Sequence, residues 1–326
     1  MRINKFLVFE KGMTTYIITG STGLIGGALV EYLRRDEGNK LILPVRNILK
    51  AKERFGQSAQ IIYIEHDFSS NNPLNINCDI DYIVHAACPT ASKYMVECPV
   101  ETIDVIVNGT RTMLRIAKQC HIKGMVFLSS MEVYGMIDGE CNSIDESVQG
   151  YVNPLNSRSS YPMAKRLAET ICHSYAKEYA VPVVIARLAQ TFGSGVDIIH
   201  DQRVLAQFAK CAMECQDIVL NTEGRSKRMY LHVSDAVSAI MLLLMKGGKG
   251  EAYNVANKET YCSIKEMADL VQKQFCPSIR VVIKKNDTGC YPPDTNLPLS
   301  TDKMEQLGWK PQYGLNEMLG SVIEHR

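Results

Sequence analysis

The segment Thr19–Gly20–Ser21–Thr22–Gly23–Leu24–Ile25–Gly26 limits what this chain can fold into more than any other. A short β-branched run, Tyr16–Thr19, leads into it, and Leu24–Arg35 leaves it with helical periodicity. Glycines meet three needs at such a junction. One permits the tight turn, one lets the backbone approach a pyrophosphate, and one lets helix and strand pack closely. Free N–H groups at the helix start then face the anion. In this setting Gly20, Ser21, Thr22, Gly23, Leu24, Ile25 and Gly26 are candidate dinucleotide contacts rather than a purely structural turn.

The rest of the first half repeats the strand–helix alternation. Short apolar strands are expected at Leu41–Val45, Ile61–Ile64, Tyr82–His85, Met125–Ser129 and Val181–Ala186. Helices are expected at Val100–Cys120 and Ser160–Tyr179. Such repetition predicts a parallel sheet covered on both faces. After Arg187 the pattern loosens; Asp235–Met245 and Ile264–Phe275 look helical, Arg280–Ile283 looks like a strand, and Cys290–Pro298 reads as a proline-rich loop. The fold class expected is therefore α/β, a Rossmann-type doubly wound parallel sheet with a smaller C-terminal α/β lobe. A cofactor domain is placed at 1–190 and a substrate lobe at 191–326, with segments crossing back between them.

Charge excludes some functions. The 326 residues carry a formal net charge of +1, so no global field favours nucleic acid or a membrane surface. No apolar run approaches the ~20 residues of a membrane span. The patch Phe6–Phe9 within Met1–Met13 is too short for a signal-peptide core and reads as an extension before the first strand. The eleven cysteines include no CxxC pair; Cys211 and Cys215 stand four apart without a histidine or second pair. Reduced cytoplasmic thiols are expected rather than disulfides or a metal site. The sequon Asn108–Gly109–Thr110 then carries no meaning.

Three further positions bear on chemistry. The second strand ends Leu43–Pro44–Val45–Arg46–Asn47, with Arg46 about where NAD-binding folds carry a ribose-binding acid. A guanidinium there suits a 2′-phosphate better than a bare ribose, so NADP is slightly favoured over NAD. The alternative is a solvated arginine at a strand end. Asp67 and Phe68, after the third strand, are candidates for the adenine or simply terminate that strand. Tyr161 and Lys165 lie four apart at the start of a long helix, on one face of it. A free phenol has a pKa near ~10 and is a poor base at neutral pH, and a nearby ammonium is expected to lower it. Pro162 is tolerated in the first turn. Ser130 follows the strand ending at Ser129, where open α/β sheets bind ligands. It is placed to hydrogen-bond a substrate oxygen, or it caps the strand end.

Taken in order, the glycine loop, His85–Ala86–Ala87, Ser129–Ser130 with Val133–Tyr134–Gly135, and Tyr161 with Lys165 resemble the extended short-chain dehydrogenases/reductases. These form the NAD-dependent epimerase/dehydratase family acting on nucleotide sugars. The resemblance continues through Arg228–Met229–Tyr230–Leu231–His232–Val233–Ser234–Asp235–Ala236, Tyr253–Asn254–Val255 and Leu307–Gly308–Trp309–Lys310–Pro311. It implies a Ser130/Tyr161/Lys165 catalytic triad and cofactor contacts that include Ala86 and Ala87. It also implies a diphosphate-binding Arg228, whose alternative is an exposed loop charge beside Arg225 and Lys227. A homodimer joined through the helices near Val100–Cys120 and Ser160–Tyr179 is implied too.

The chain departs from the family pattern at several points. Ile106 stands where an asparagine is usual. Gln190–Thr191–Phe192–Gly193 replaces a segment that usually begins with asparagine, so Gln190 keeps an amide on a longer stem in the substrate site. A second diphosphate arginine has no clear counterpart around Cys290–Asp294.

The activity implied is a nucleotide-sugar epimerase or reductase working through a 4-keto sugar. Dehydratases of the family carry Asp then Glu after the catalytic hydroxyl; here Met131 cannot donate a proton while Glu132 remains. Glu132 beside Val133–Tyr134–Gly135 also resembles UDP-glucuronate decarboxylases, unless it merely braces the following loop. C4 epimerisation or reduction is ranked first, decarboxylation second and 4,6-dehydration last. The rivals are a non-catalytic NADP-binding regulator and a reductase of small non-nucleotide carbonyl compounds.

Overall fold

The computed structural model describes residues 13–70, 72–76, 78–137, 141–284 and 294–324. The extension expected over Met1–Met13 lies outside them except for Met13, as do residues 290–293 of the expected proline-rich loop.

Strand–helix units open the chain: β1 (Thr14–Thr19), α1 (Leu24–Leu33), β2 (Asn39–Val45), α2 (Ile48–Phe55), β3 (Ile61–Glu65) and β4 (Tyr82–His85). They continue with α3 (Ser92–Glu97), α4 (Pro99–Gln119), β5 (Gly124–Ser130), α5 (Ser160–Tyr179) and β6 (Val183–Leu188). The last strand begins two residues later than its composition predicts. Then follow β7 (Gln190–Phe192), α6 (Val204–Glu214), β8 (Ile218–Leu220), β9 (Lys227–His232), α7 (Val233–Lys246), β10 (Ala252–Val255) and β11 (Asn257–Ser263). The described part closes with α8 (Ile264–Phe275), β12 (Val281–Ile283), β13 (Asn296–Leu297), α9 (Asp302–Gln306) and α10 (Leu315–Ile323). The short strand β13 lies inside a segment expected to be loop throughout.

Seven parallel strands form the main sheet in the order β3-β2-β1-β4-β5-β6-β10. This is the doubly wound arrangement, with the strand order reversing between β1 and β4. Alternation along each strand feeds two apolar layers. Tyr16 and Ile18 of β1, with Val126 and Leu128 of β5, join one cluster with Leu29 of α1 and Ile240 of α7. Ile17, Met125 and Phe127 face the other way, towards Met113 of α4 and Ala168 of α5. Both faces being covered explains why the strands read as continuous apolar runs.

A third apolar cluster gathers Phe208 and Ala209 of α6, Met267 and Val271 of α8, and Met318 of α10. Beside it, β9 pairs in parallel with β7 and β13 and antiparallel with β11. The chain does not stay in this part: α7 packs on β5 and β6, and β10 adds the seventh strand of the main sheet. No helix among the described residues is long and apolar enough to cross a membrane.

Candidate active site

A cleft of about 800 Å³ opens at the carboxyl ends of the main-sheet strands, where their order reverses. Every residue singled out from the sequence as a site candidate lines it: Gly20 to Gly26, Arg46, Asp67, Phe68, Ala86, Ala87, Ser130, Glu132, Tyr161, Lys165, Gln190 and Arg228.

The glycine loop leaves β1 and enters α1 with Gly20 at φ +65°. A Cβ at Gly20 would lie 2.7 Å from the Ala86 carbonyl carbon, so the close approach of loop and β4 end requires glycine there. The two segments are tied by Thr19. Its Oγ1 accepts from the backbone N–H groups of Ala86 and Ala87, each at 3.0 Å, and lies 2.8 Å from His85 Nδ1. With both acceptances made, the Thr19 hydroxyl proton points to His85 Nδ1, leaving the ring proton on Nε2. The helix start carries no side-chain cap, so its N–H groups remain available. The buried Ser21 Oγ in the same loop has no partner. An uncapped helix N-terminus, a glycine-dependent approach and an unpartnered hydroxyl fit a dinucleotide pyrophosphate.

Ser130, Tyr161 and Lys165 meet because β5 ends beside the first turn of α5. Ser130 Oγ accepts from Glu132 N–H at 3.2 Å, capping a single 3-10 turn over Met131–Tyr134. Its own proton is then free for the Tyr161 phenol, which it helps towards ionisation. The strand-end cap and the contact to Tyr161 thus coexist in one hydroxyl. Lys165 is buried and donates to the Leu128 carbonyl at 2.6 Å, with its ammonium 5.8 Å from the Tyr161 ring centre. The expected lowering of the Tyr161 pKa by Lys165 is not what this geometry produces. Burial holds the phenol well above its ordinary value, and Cys88 and Glu132 add to that. The reason is that desolvation outweighs an ammonium already turned to a backbone carbonyl.

Around this centre the candidates differ in character. Glu132 is clamped by Arg158, whose Nη2 stands 3.0 Å and 2.7 Å from the two carboxylate oxygens. Arg158 also lies 5.9 Å from the Tyr161 ring centre. Met131 is buried in the core. Gln190 opens β7 on the cleft wall. Arg228 is no exposed loop charge: it sits on β9, donates to Thr295 Oγ1 at 3.3 Å, and its buried Nε has no partner. Arg225 is the exposed loop arginine, paired with Glu223 and Asp294. Arg46 is exposed at the end of β2 and close enough to Asp67 to help hold that carboxylate low, after the Ser69 backbone N–H. Asp67 accepts that N–H at 2.9 Å, so it ends its strand with a turn while facing the cleft. The Phe68 ring is largely buried between His66 and His85. Ile106, at the departure from the family's asparagine, is buried in the α4–α5 layer.

Four groups at the site escaped the sequence reading. Cys88, one residue past the Ala87 singled out there, brings a thiol to the cleft and donates to the Pro89 carbonyl at 3.1 Å. Arg158 lies in a single 3-10 turn, Ser157–Ser159, too short to give a periodic signal. Arg54 of α2 reaches back to the phosphate loop and donates to the Thr22 carbonyl at 2.6 Å. Behind the site, Ser129 donates to Glu169 at 2.5 Å, and Glu169 pairs with Arg187 at 2.7 Å. Arg187 reaches on to Tyr134 Oη at 3.1 Å. That chain joins β5, α5 and β6 beneath Ser130. Only the Glu169 spacing from Lys165 was available in sequence, and i+4 alone does not distinguish a brace from a surface charge.

Residues 16–256 match the NAD dependent epimerase/dehydratase family. UDP-glucuronic acid decarboxylase 5 of Arabidopsis thaliana is 32% identical over 311 residues, covering 94% of this chain and 88% of its own length. UDP-glucuronic acid decarboxylase 1 of Danio rerio is 30% identical over 331 residues, covering 98% and 74%. Among solved structures, UDP-glucose 4-epimerase of Thermotoga maritima with UDP-glucose has a TM-score of 0.81 at 20% identity, covering 96% of this chain and 98% of that one. dTDP-glucose 4,6-dehydratase of Bacillus anthracis in complex with NAD has a TM-score of 0.75 at 22% identity, covering 95% and 96%. At these identities the structural likeness is one of fold; the sequence matches, spanning most of the chain, carry the assignment. The chain is an enzyme of the NAD dependent epimerase/dehydratase family.

Proposed function

We propose that this enzyme oxidises C4 of a nucleotide sugar and that its substrate is a UDP-hexuronate, decarboxylated through the 4-keto intermediate. The observation that carries the reading is the convergence of Ser130, Tyr161 and Lys165 on one wall of a cleft whose other end is the glycine loop. A dinucleotide held by the glycine loop would supply a hydride acceptor, and later donor, for C4. Tyr161 takes the C4 hydroxyl proton and returns it at the end, Ser130 holds that oxygen, and Lys165 supports the phenolate. The C6 carboxylate is then β to a ketone, so the C5–C6 bond breaks, CO₂ leaves, and the electron pair remains as a C5 enolate. Arg158 is the cation available to the substrate carboxylate, and engaging it frees Glu132 to take up a proton from solvent and deliver it to C5. Reduction of the ketone restores the cofactor, so the cycle is redox-neutral. Arg228, with its unpartnered Nε, is assigned to the diphosphate, and Gln190 to the sugar.

Decarboxylation replaces epimerisation at the head of the ranking because the relatives named above are UDP-glucuronic acid decarboxylases. Dehydration stays last, since loss of a C6 hydroxyl needs a proton donor at the Met131 position and loss of CO₂ from a β-keto acid does not. Epimerisation or simple reduction shares the C4 oxidation and is the second reading. A non-catalytic regulator would have no use for the full Ser130, Tyr161 and Lys165 set. The deciding experiment incubates the enzyme with UDP-glucuronate, UDP-glucose and dTDP-glucose and follows products by NMR. A UDP-pentose from UDP-glucuronate alone is expected; a C4-epimeric hexuronate, or a 4-keto-6-deoxy sugar, would replace this reading.

For the cofactor, the exposed Arg46 favours NADP(H) modestly over NAD(H). Tighter binding of NADP that is lost in Arg46→Ala is expected; equal or tighter NAD binding, unchanged in that variant, would remove the assignment. Exposed Val100 and Ile103 of α4 and Met163 and Leu167 of α5 support a homodimer through these helices. We divide the chain at about residue 190 into cofactor and substrate units, with α7 and β10 crossing back. We place the protein in the cytoplasm, whose resting poise keeps most thiols reduced.

A further inference from the structure

Two thiols meet far from the cleft. Cys215 ends α6 with a left-handed backbone at φ +53°, and Cys276 follows the last residue of α8. They are 61 positions apart in the chain, yet their sulfurs lie 3.6 Å apart. The contact follows from how α6 packs on α8: Ala209, Ala212, Met267 and Val271 share one apolar cluster, and the two C-terminal ends come together. With its left-handed backbone, Cys215 places its sulfur between the Ala212 carbonyl of its own helix, at 4.0 Å, and Cys276 beyond α8. Cys215 is exposed and Cys276 is buried. The Ser278 hydroxyl, 3.3 Å from Cys276 Sγ, holds that thiol below its ordinary range, and Cys215 adds to this against the opposing effect of burial. Neither residue lines the cleft.

We propose that Cys215 and Cys276 form a redox-active dithiol that a low-molecular-weight disulfide, such as oxidised glutathione, converts to an intramolecular disulfide. Cys215, the accessible sulfur, attacks the reagent first; one sulfur–sulfur bond breaks, one thiolate leaves, and a mixed disulfide forms on Cys215. Cys276 thiolate then attacks the Cys215 sulfur and expels the second thiolate. Two protein thiols are oxidised, one reagent disulfide is reduced to two thiols, and the two protons pass to the departing thiolates. The sulfurs must close by about 1.5 Å to reach bonding distance, within the reach of a side-chain rotation at the exposed Cys215. A disulfide here would staple the C-terminal ends of the two helices at the edge of the C-terminal apolar cluster. The inference is independent of which sugar the cleft accepts.

The test uses the full chain. The protein is incubated with oxidised glutathione, remaining thiols are alkylated, and non-reduced peptides are read by mass spectrometry. A Cys215–Cys276 cross-linked peptide is expected, reversed by dithiothreitol. In Cys276→Ser the second step is blocked, so a glutathione adduct should accumulate on Cys215; in Cys215→Ser the buried Cys276 should stay unmodified and alkylatable after unfolding. Full alkylation of both cysteines in the treated wild type would overturn the proposal. So would a glutathione adduct on Cys215 that persists in the wild type as strongly as in Cys276→Ser.

Discussion

Tyr161 carries its hydroxyl into a setting that resists ionisation, with 9% of its surface exposed, and the Ser130 hydroxyl and the Arg158 guanidinium oppose that resistance. Tyr161→Phe keeps the ring and removes the proton carrier. Turnover should fall by ~10²-fold or more with the fold intact, judged by circular dichroism and an unchanged melting curve. A variant that keeps most of its turnover would move the acid–base role elsewhere. Arg158 gives a sharper test of substrate class. If it meets the sugar carboxylate, Arg158→Ala should raise KM for UDP-glucuronate by roughly 10-fold or more, the worth of a charge-assisted hydrogen bond, and leave neutral UDP-sugar binding nearly unchanged. An equal rise for both substrates would make Arg158 a brace for Glu132 and no more. The residues legible in the sequence were those whose reason is local: a turn that demands glycine, a Tyr–Lys pair on one helix face, a serine at a strand end. Arg158 and the bonds made by the Thr19 hydroxyl were not legible, because the partners lie 26 to 68 positions away.

At the scale of elements, α7 concentrates two opposed titrations in its first turn. His232 caps it, its Nδ1 accepting the Ser234 N–H at 3.1 Å, and burial pushes the imidazole from 6.5 to about 4. Asp235 accepts N–H groups of Gln312 and Tyr313 at 3.0 Å and 3.1 Å, and burial lifts its carboxyl from 3.8 to about 6. For His232 the unfolded chain binds the proton first as pH falls, so its contribution is full above 6.5 and is lost towards 4. Asp235 works the other way: the unfolded chain ionises first as pH rises, so its contribution is full below 3.8 and is lost through 6. Each changes stability by about 1.4 kcal/mol per pH unit in its window, with opposite sign. His232→Asn keeps a capping oxygen and removes one side of the balance. Urea unfolding at pH 4.5 and 7.5 should show the variant gaining about 2–3 kcal/mol on the wild type at the lower pH. A difference independent of pH would show that His232 does not titrate in this way. Long elements such as α4 and α5 were legible because twenty residues of periodicity leave little ambiguity. The three-residue strands β7 and β8 were not; they exist through pairing with distant partners and have too few residues for a period to appear, whereas β12 falls within the strand expected at Arg280–Ile283.

For the whole molecule, the main sheet is closed on both faces, yet one helical surface remains unfinished. On α4, Val100 and Ile103 are 63% and 40% exposed, and on α5, Met163 and Leu167 are 38% and 46% exposed. Their spacings, three and four residues, put each pair on one side of its helix. The two helices pack against each other, so the pairs belong to one surface built from both elements. Single exposed apolar residues are ordinary, but a run shared by two adjacent helices is a surface that water covers poorly. A two-fold axis across it would bury the same residues on both copies and yield a four-helix contact of the kind that closes without leaving a free edge. Of the two, α5 carries Tyr161 and Lys165 among its buried residues, so the contact would stiffen the site from behind without entering it. Light scattering coupled to size exclusion should therefore give twice the chain mass. The double variant Ile103→Glu/Leu167→Glu should give the chain mass, because two carboxylates from each copy would meet at the axis. Cofactor binding by the monomer should survive, since the glycine loop belongs to β1 and α1, and α1 packs on the face of the sheet opposite α4 and α5. A wild-type protein that elutes as a monomer at tens of micromolar, or a double variant that stays dimeric, would mean that this apolar surface serves something other than self-association.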